Sequence, residues 1–311
     1  MLNLERLRVL QAVARHGSVT AAAAELHVTT SAVSQQLAKL ERESGTTLVE
    51  RSGRGIRLTD SAQLLAGHAT ALLSMAEMAQ ADIDARAGTV TGRLVLASLP
   101  TATRGLAAPA LRLLARAHPA LQVELTEADS SQSIPVLLQG GVDLVIAHEW
   151  SNAPLAAFDG LTKTLLIEDL ADIAVPAAHP LAGNDAETPD GTVELAQLGA
   201  GPWICGTPGT SCHEWLTVTL RSVHLEPRIA HTANEYATQL ALVAAGLGIA
   251  VMPRLGRGDV PAGVHMIAVR PTLRRNICAL WRTTAARRPA INAVVSALRD
   301  AAERVREFAG G

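Results

Sequence analysis

The sequence predicts a helical N-terminal unit with a β-hairpin wing, one long helix and a larger α/β part, and three observations predict it. Residues 1–60 carry short helical periods broken by turns, residues 60–86 contain no Pro and a single Gly, and about two hundred further residues alternate strand-like apolar runs with helical stretches. At 311 residues the chain is too long for one small domain. It is 48% hydrophobic and 18% charged, enough to fill cores; with aromatics at only 2%, packing falls to Leu, Val, Ile and Ala. A formal net charge of −2 excludes a polycationic coat and an acidic solvating tail, although a small basic face can sit on a neutral chain. No stretch reaches the roughly 18 uninterrupted apolar residues of a membrane span. Glu5, Arg6, Arg8 and Arg15 interrupt the place where a signal peptide carries its apolar core. The three cysteines, Cys205, Cys212 and Cys278, form neither a CxxC pair nor an even framework. A soluble, reduced, cytoplasmic protein with no membrane partner is expected.

In order along the chain, Leu4, Leu7, Leu10, Val13 and Ala14 recur at helical spacing and Gly17 ends that helix. Ser18 stands where the next helix, TAAAAEL, needs a cap. A break at His27-Val28-Thr29 precedes SAVSQQLAKLERESG, in which Ala32, Val33, Leu37 and Leu40 form one apolar face. Three helices with two tight turns fit a helix-turn-helix unit. The runs Leu48 to Arg51 and Ile56 to Thr59, around a Gly-bearing tip at Ser52 to Gly55, read as a β-hairpin wing.

Between Asp60 and Arg86, Leu65, Ala69, Leu72, Ala76, Ala79 and Ile83 follow one another at three- and four-residue steps. That is the seam of a dimerising coiled coil; the competing reading is a helix packed on its own domain. Gly88 and Gly92 punctuate a linker. Strands are then expected at Leu94–Ala97, Leu121–Leu125, Leu144–Ala147 and Ile173–Val175, and helices at 105–117, 132–140, 213–221, 235–246 and 288–308. This alternation predicts largely parallel sheets.

The helix after the second break has the composition of a base reader. Short polar side chains early in a helix let its first turn approach base edges in the major groove. Thr29, Thr30, Ser31, Ser34 and Gln35 lie at that start, Gln being able to pair bidentately with adenine. Lys39 lies one turn on, with Arg42 beyond it, in reach of phosphates, and Arg51, Arg54 and Arg57 put charge on the wing. Residues 1–60 hold eight Lys or Arg against six Asp or Glu, a surplus of two within an anionic chain. The alternative is that Ser34 and Gln35 merely solvate a surface helix. Against it stands the whole segment SVTAAAAELHVTTSAVSQQLAKLERESGTTLVERSGRGIRLTDSA, which closely resembles the winged helix-turn-helix of LysR-type transcriptional regulators. GGVDLVIA, LADIAVPAAHPLA and ANEYATQLALVAAGLGIAVMP resemble segments of that family's effector domain. Val49 stands where the family usually has Phe, Ala62 where Gly is common, and Ser31 where Pro is frequent.

The resemblance implies a winged helix-turn-helix DNA-binding domain over 1–60, a linker and dimerisation helix over 61–88, and an effector domain over 89–311 that resembles type 2 periplasmic binding proteins. Lobe I would take 89–166 and 267–311 and lobe II 167–266, with crossings near Leu165–Ile167 and Met266–Ala268. It further implies homodimers paired into tetramers on double-stranded promoter DNA of T-N11-A type, contact with RNA polymerase, and a small-molecule effector between the lobes, with no cofactor and no metal. Ser98, Pro100, Thr101 and Thr103 follow a strand and open a helix, where free N–H groups and hydroxyls favour an anion such as a carboxylate; plain capping by Ser98 or Thr101 explains them equally. Ser130, Cys205 and Thr207 are matching cleft edges, and His148, Glu149 and Asn234 are polar rim residues suited to an amino or hydroxyl group.

Other functions leave traces that are missing here. The ten histidines show no HExxH, HxH or zinc spacing, there is no GxSxG elbow, and Gly246-Leu247-Gly248 ends a helix instead of opening one. A solute-binding transport protein would not carry the helix-turn-helix. A thiol-based redox sensor of the same family is the main rival. Cys212 opens a helix, where the dipole lowers a thiol's pKa; peroxide-sensing members carry a resolving Cys nine residues on, where this chain has Arg221, so Cys205 would be the partner. The better reading is that the cysteines are buried and inert.

Overall fold

The computed structural model describes residues 1–309 apart from His27, Gly53, Arg54, residues 183–190 and residue 200. These residues form two units, Met1–Ala87 and Gly88–Gly311.

In the first unit, helices α1 (Leu4–His16), α2 (Val19–Glu25) and α3 (Thr30–Ser44) start on side-chain caps. Asn3 accepts from the Glu5 and Arg6 N–H groups, Ser18 from Ala21 and Thr29 from Ala32. Gly17 and Gly45 end α1 and α3 at φ 63° and 69°, a conformation that only glycine adopts without strain. Their inner faces close over Leu7, Leu10, Val13, Ala22, Val33, Leu37, Leu40 and Leu48. Strands β1 (Val49–Ser52) and β2 (Gly55–Leu58) pair antiparallel. The Glu41 carboxylate of α3 accepts the Leu48 and Val49 N–H groups at 2.8 and 3.2 Å, fixing the wing to the reading helix.

Helix α4 (Asp60–Ala87) departs from the expected seam. Ala62, Ala66 and Ala69 are buried in the unit's own core and Leu65 packs against it, because the first half of α4 lies along α1. Leu72 and Ile83 stay 40% and 63% exposed, and Met75 is exposed beside them. The competing reading therefore holds for the first half of the helix.

The second unit is built on one nine-stranded sheet and also holds a two-stranded one. Its elements are β3 (Gly92–Ser98), α5 (Pro100–Ala102), a π-turn over Thr103–Ala107, α6 (Ala108–Ala117), β4 (Leu121–Glu127), α7 (Ser130–Leu138), β5 (Leu144–Trp150) and β6 (Leu161–Pro176). There follow β7 (Val193–Glu194), β8 (Trp203–Cys205), α8 (Ser211–Ser222), β9 (Ile229–Thr232), α9 (Tyr236–Ala244), β10 (Ile249–Pro253), β11 (Val264–Ile267), β12 (Val269–Arg270), β13 (Leu273–Arg282) and α10 (Pro289–Ala309). The order is β4-β3-β5-β13-β6-β10-β8-β9, with β11 also on β6. Parallel pairing holds at the two ends, β4-β3-β5 and β10-β8-β9, as strand–helix alternation requires. The middle is antiparallel: β13 pairs with β5 and β6, and β6 with β10 and β11. At about 3.3 Å per residue, the 16 residues of β6 reach roughly 50 Å, enough to serve both halves of the sheet. Two cores result. Leu94, Leu96, Leu106, Leu144, Ile146 and Ile291 fill the first lobe, and Ile173, Val175, Trp203, Trp215, Leu220 and Ile249 the second.

Candidate functional site

The apolar period of α3 turns Val33, Leu37 and Leu40 inward, which leaves Thr30, Ser31, Ser34, Gln35, Lys39 and Arg42 exposed together on its outer face. Thr29 is exposed too, while its hydroxyl caps the helix. The Ser34 hydroxyl donates to the Thr30 carbonyl at 2.9 Å, a bond that a rotor on the surface can exchange. Gln35 has no such tether, unlike Gln36, which accepts from Arg6. On the wing, Arg57 pairs with Glu50 across the hairpin at 2.8 Å, so part of its charge is already answered. Arg54 lies outside the described residues, as does the Arg51 side chain.

A second set of groups converges between the two lobes. Asp129 caps α7 by accepting the Ser131 N–H at 2.9 Å. The same carboxylate accepts the Ser211 hydroxyl at 2.8 Å and the Ser211 N–H at 3.4 Å. Ser211 opens α8 in the other lobe, where the N-cap residue Thr210 makes no capping bond of its own. One carboxylate thus serves two facing helix N-termini, which their dipoles favour. Burial pushes the Asp129 carboxyl up, but the donors from Ser131 and Ser211 hold it below the usual range. His148 is buried beside it, with Nε2 3.2 Å from the Ser211 Oγ and 4.0 Å from the Cys212 Sγ. Burial first, then the Arg275 charge, lowers this imidazole to about 3, so it is neutral near pH 7.

Arg275 is 1% exposed and anchors the lobe junction. Its Nε donates to Asp169 at 2.8 Å and its Nη2 to the Thr101 Oγ1 at 2.9 Å. Its Cζ lies 5.8 Å from the centre of the Trp150 ring. Trp150 stacks in turn on Trp215 of α8, with centroids 3.6 Å apart at an angle of 10°.

The residues expected to hold a ligand divide. Ser98, Thr101 and Ser130 are buried, and each is engaged within the protein. Ser98 Oγ donates to the Leu99 carbonyl, Thr101 accepts from Arg275, and Ser130 accepts the His148 N–H. Pro100 opens α5, and Thr103 Oγ1 returns to the Leu99 carbonyl at 3.1 Å. Thr207 and Asn234 satisfy one another, the Thr207 N–H donating to Asn234 at 2.8 Å. Glu149 is not brought to the cluster: successive strand residues face opposite ways, and it pairs with Lys163 at 2.9 Å. Beside Cys212, a pocket lined by Trp150, Cys205, Trp215 and Tyr236 measures about 20 Å³, room for a single water.

The cysteines fit the reading of buried, inert thiols and not that of an activated one. Burial pushes the Cys205 thiol up to about 12 and also raises Cys212, whose Sγ lies 3.4 Å from the Tyr236 hydroxyl. Loss of hydration outweighs whatever the start of α8 gives back to a thiolate. Among the described residues no group of three or more His, Cys, Asp or Glu is placed for a metal ion, and no helix is long and apolar enough to cross a membrane.

Sequence reasoning missed Asp129, Asp169, Ser211, Tyr236 and Arg275. A signal was present for two of them. Asp169 in LLIEDLADIAV and Arg275 in RRNICALW are charges inside otherwise strand-like runs, and a charge in a buried strand needs a partner.

Two family models match the chain: a bacterial regulatory helix-turn-helix protein of the lysR family over residues 4–63, and a LysR substrate binding domain over residues 87–303. The HTH-type transcriptional regulator TtuA of Agrobacterium vitis is 28% identical over 259 residues, covering 81% of each chain. The probable HTH-type transcriptional regulator LrrA of Synechococcus elongatus is 27% identical, covering 98% of this chain and 99% of that one. Among solved structures, a full-length OxyR variant from Pseudomonas aeruginosa superposes with a TM-score of 0.69 at 20% identity, over 96% of this chain and 98% of that one. Full-length CbnR in complex with its target DNA gives 0.56 at 22% identity, over 96% of this chain and all of the other.

Proposed function

The chain belongs to the LysR family of bacterial transcriptional regulators, and from that premise we propose how its parts divide the work of a DNA-binding regulator with an effector domain. Residues 1–60 read a partly palindromic site in double-stranded DNA, residues 61–88 join two copies, and residues 89–311 bind a small effector between lobe I (89–166 and 267–311) and lobe II (167–266). The exposed polar face of α3, capped by Thr29 and flanked by Lys39 and Arg42, carries the reading. Its first turn has side chains that donate to and accept from base edges, while the cations lie where phosphates run. CbnR, similar in fold, has been captured with its target DNA, which supports the same use of this unit. The stripe Leu72, Met75, Ala79 and Ile83 on α4 meets its copy in a dimer, and dimers pair into a tetramer that contacts RNA polymerase. The protein acts in the cytoplasm and catalyses no reaction. Its effector is a compact metabolite with an anionic group, and binding changes the balance between lobe arrangements by the difference in affinity for the two.

Footprinting on the DNA flanking the protein's own gene tests the reader. A protected site of T-N11-A type is expected at moderate salt. Gln35→Ala should lose about 1–3 kcal/mol at one base position and relax specificity there. An unprotected flank, or a Gln35→Ala protein with unchanged sequence preference, contradicts the assignment of α3.

A further inference from the structure

Three buried nitrogens between the lobes have no hydrogen-bond partner: His148 Nδ1, Trp150 Nε1 and Arg275 Nη1. His148 and Trp150 are two residues apart on β5, and Arg275 of β13 stands directly opposite Trp150. All three side chains therefore leave the same face of two paired strands. His148 and Arg275 are diagonal neighbours, about 7–8 Å apart at the backbone.

The two ends of this group want opposite things. Arg275 Nη1 and Trp150 Nε1 can only donate. His148 Nδ1 is different, and the network around it says why. Ser211 Oγ lies 2.8 Å from the Asp129 carboxylate, which can only accept, so the single hydroxyl proton is spent there. The same oxygen then meets His148 Nε2 at 3.2 Å as an acceptor, which places the imidazole proton on Nε2. Being neutral, the ring is left with a bare lone pair on Nδ1. A relay from one lobe to the other, Asp129 accepting from Ser211 and Ser211 from His148, thus fixes a buried acceptor beside buried donors.

From this arrangement we infer that the cleft recognises a compact carboxylate that bears a hydrogen-bond donor on the adjacent carbon, a 2-hydroxy or 2-amino acid. The inference rests on reading the cleft as the effector site, and deepens it. The carboxylate takes Arg275 Nη1 and Trp150 Nε1, and the hydroxyl or ammonium donates to His148 Nδ1. Asp129 and Ser211 touch no ligand; they are positioning residues that set the tautomer. The 7–8 Å diagonal suits a ligand of a few heavy atoms. All three nitrogens are buried and the adjoining pocket beside Trp150 measures only about 20 Å³, so the lobes part to admit the ligand.

Propionate, lactate and alanine share one carbon skeleton and differ only in the donor, so calorimetric titration of the full chain with each isolates that group. Lactate or alanine should bind at least tenfold more tightly than propionate, and whichever does so separates hydroxyl from ammonium. His148→Phe should shrink the gap to about twofold or less. Ser211→Ala should shrink it as well while leaving the imidazole in place, a change that a merely structural serine would not cause. Equal binding of propionate overturns the proposal, as does a gap that survives both variants, or no binding by any of the three at millimolar concentration. A parallel thermal-shift panel of metabolites without a carboxylate separates the two levels. A stabilising member there, with the three acids silent, leaves the effector site standing and removes this chemistry; silence in both removes both.

Discussion

His148 carries a residue-scale prediction because it is a buried base held neutral. Free in an unfolded chain it takes up a proton near its ordinary value of 6.5, whereas in the fold it does so only near 3. Its folded value is the lower one, so its contribution to stability is complete above pH 6.5 and is lost progressively as pH falls toward 3. Each pH unit in that window costs about 1.4 kcal/mol, hence about 2 kcal/mol between pH 6.5 and 5. Asp129 also has a lowered value, but its contribution is lost only as pH falls below the ordinary 3.8, outside this window. Urea denaturation of the wild type should therefore steepen with acid over pH 6.5–5, and His148→Gln should flatten the profile by about 2 kcal/mol. Superimposable profiles would mean that the imidazole takes up its proton in the fold at its ordinary value.

Among the elements, α5 and the turn after β10 approach closely at a glycine. Gly256 sits at φ +61°, and a Cβ there would lie 2.2 Å from the Thr101 carbonyl oxygen, a contact with backbone that cannot move aside. Arg104 Nε donates to the Gly256 carbonyl at 2.7 Å across the same joint. Gly256→Ala adds a left-handed non-glycine residue and an overpacked contact, and should destabilise the unit by about 2–4 kcal/mol. A melting temperature within a degree of wild type would show that the joint yields. The short elements were legible because their signals are local: Ser18 and Thr29 as caps, Gly17 and Gly45 as stops, and the inward set Val33, Leu37 and Leu40 as period. The antiparallel middle of the sheet was not. Glu168, Asp169 and Asp172 break the apolar run of β6 and make one strand read as two. Their answer lies far along the chain, Arg275 for Asp169, and Arg254 and Arg257 for Asp172. Periodicity is blind to partners a hundred residues away. The candidate site suffered most from this: Ser98, Thr101, Ser130 and His148 were legible as polar residues at element ends, while Arg275, which binds Thr101 and acts on His148, sits inside a strand.

At the scale of the whole molecule, the half of α4 that its own unit does not use sets the expected assembly. With Leu65 and Ala69 committed to the N-terminal core, pairing of copies falls to Leu72, Met75, Ala79 and Ile83, an exposed stripe. Leu72→Asp would bury a carboxylate in that contact at a cost of several kcal/mol. Light scattering should show the variant at half the wild-type mass or less, and an unchanged mass would put the pairing surface elsewhere. The two lobes offer a subtler handle. Of the four tryptophans, Trp281 belongs to the first core and Trp203, Trp150 and Trp215 to the second, where Trp150 at the end of β5 and Trp215 of α8 lie face to face. Stacked indoles this close share their electronic excitation, and the coupled pair splits into circular-dichroism bands of opposite sign that fade steeply with separation. The protein therefore carries a label-free optical gauge of lobe opening, readable in solution while ligand or DNA is added.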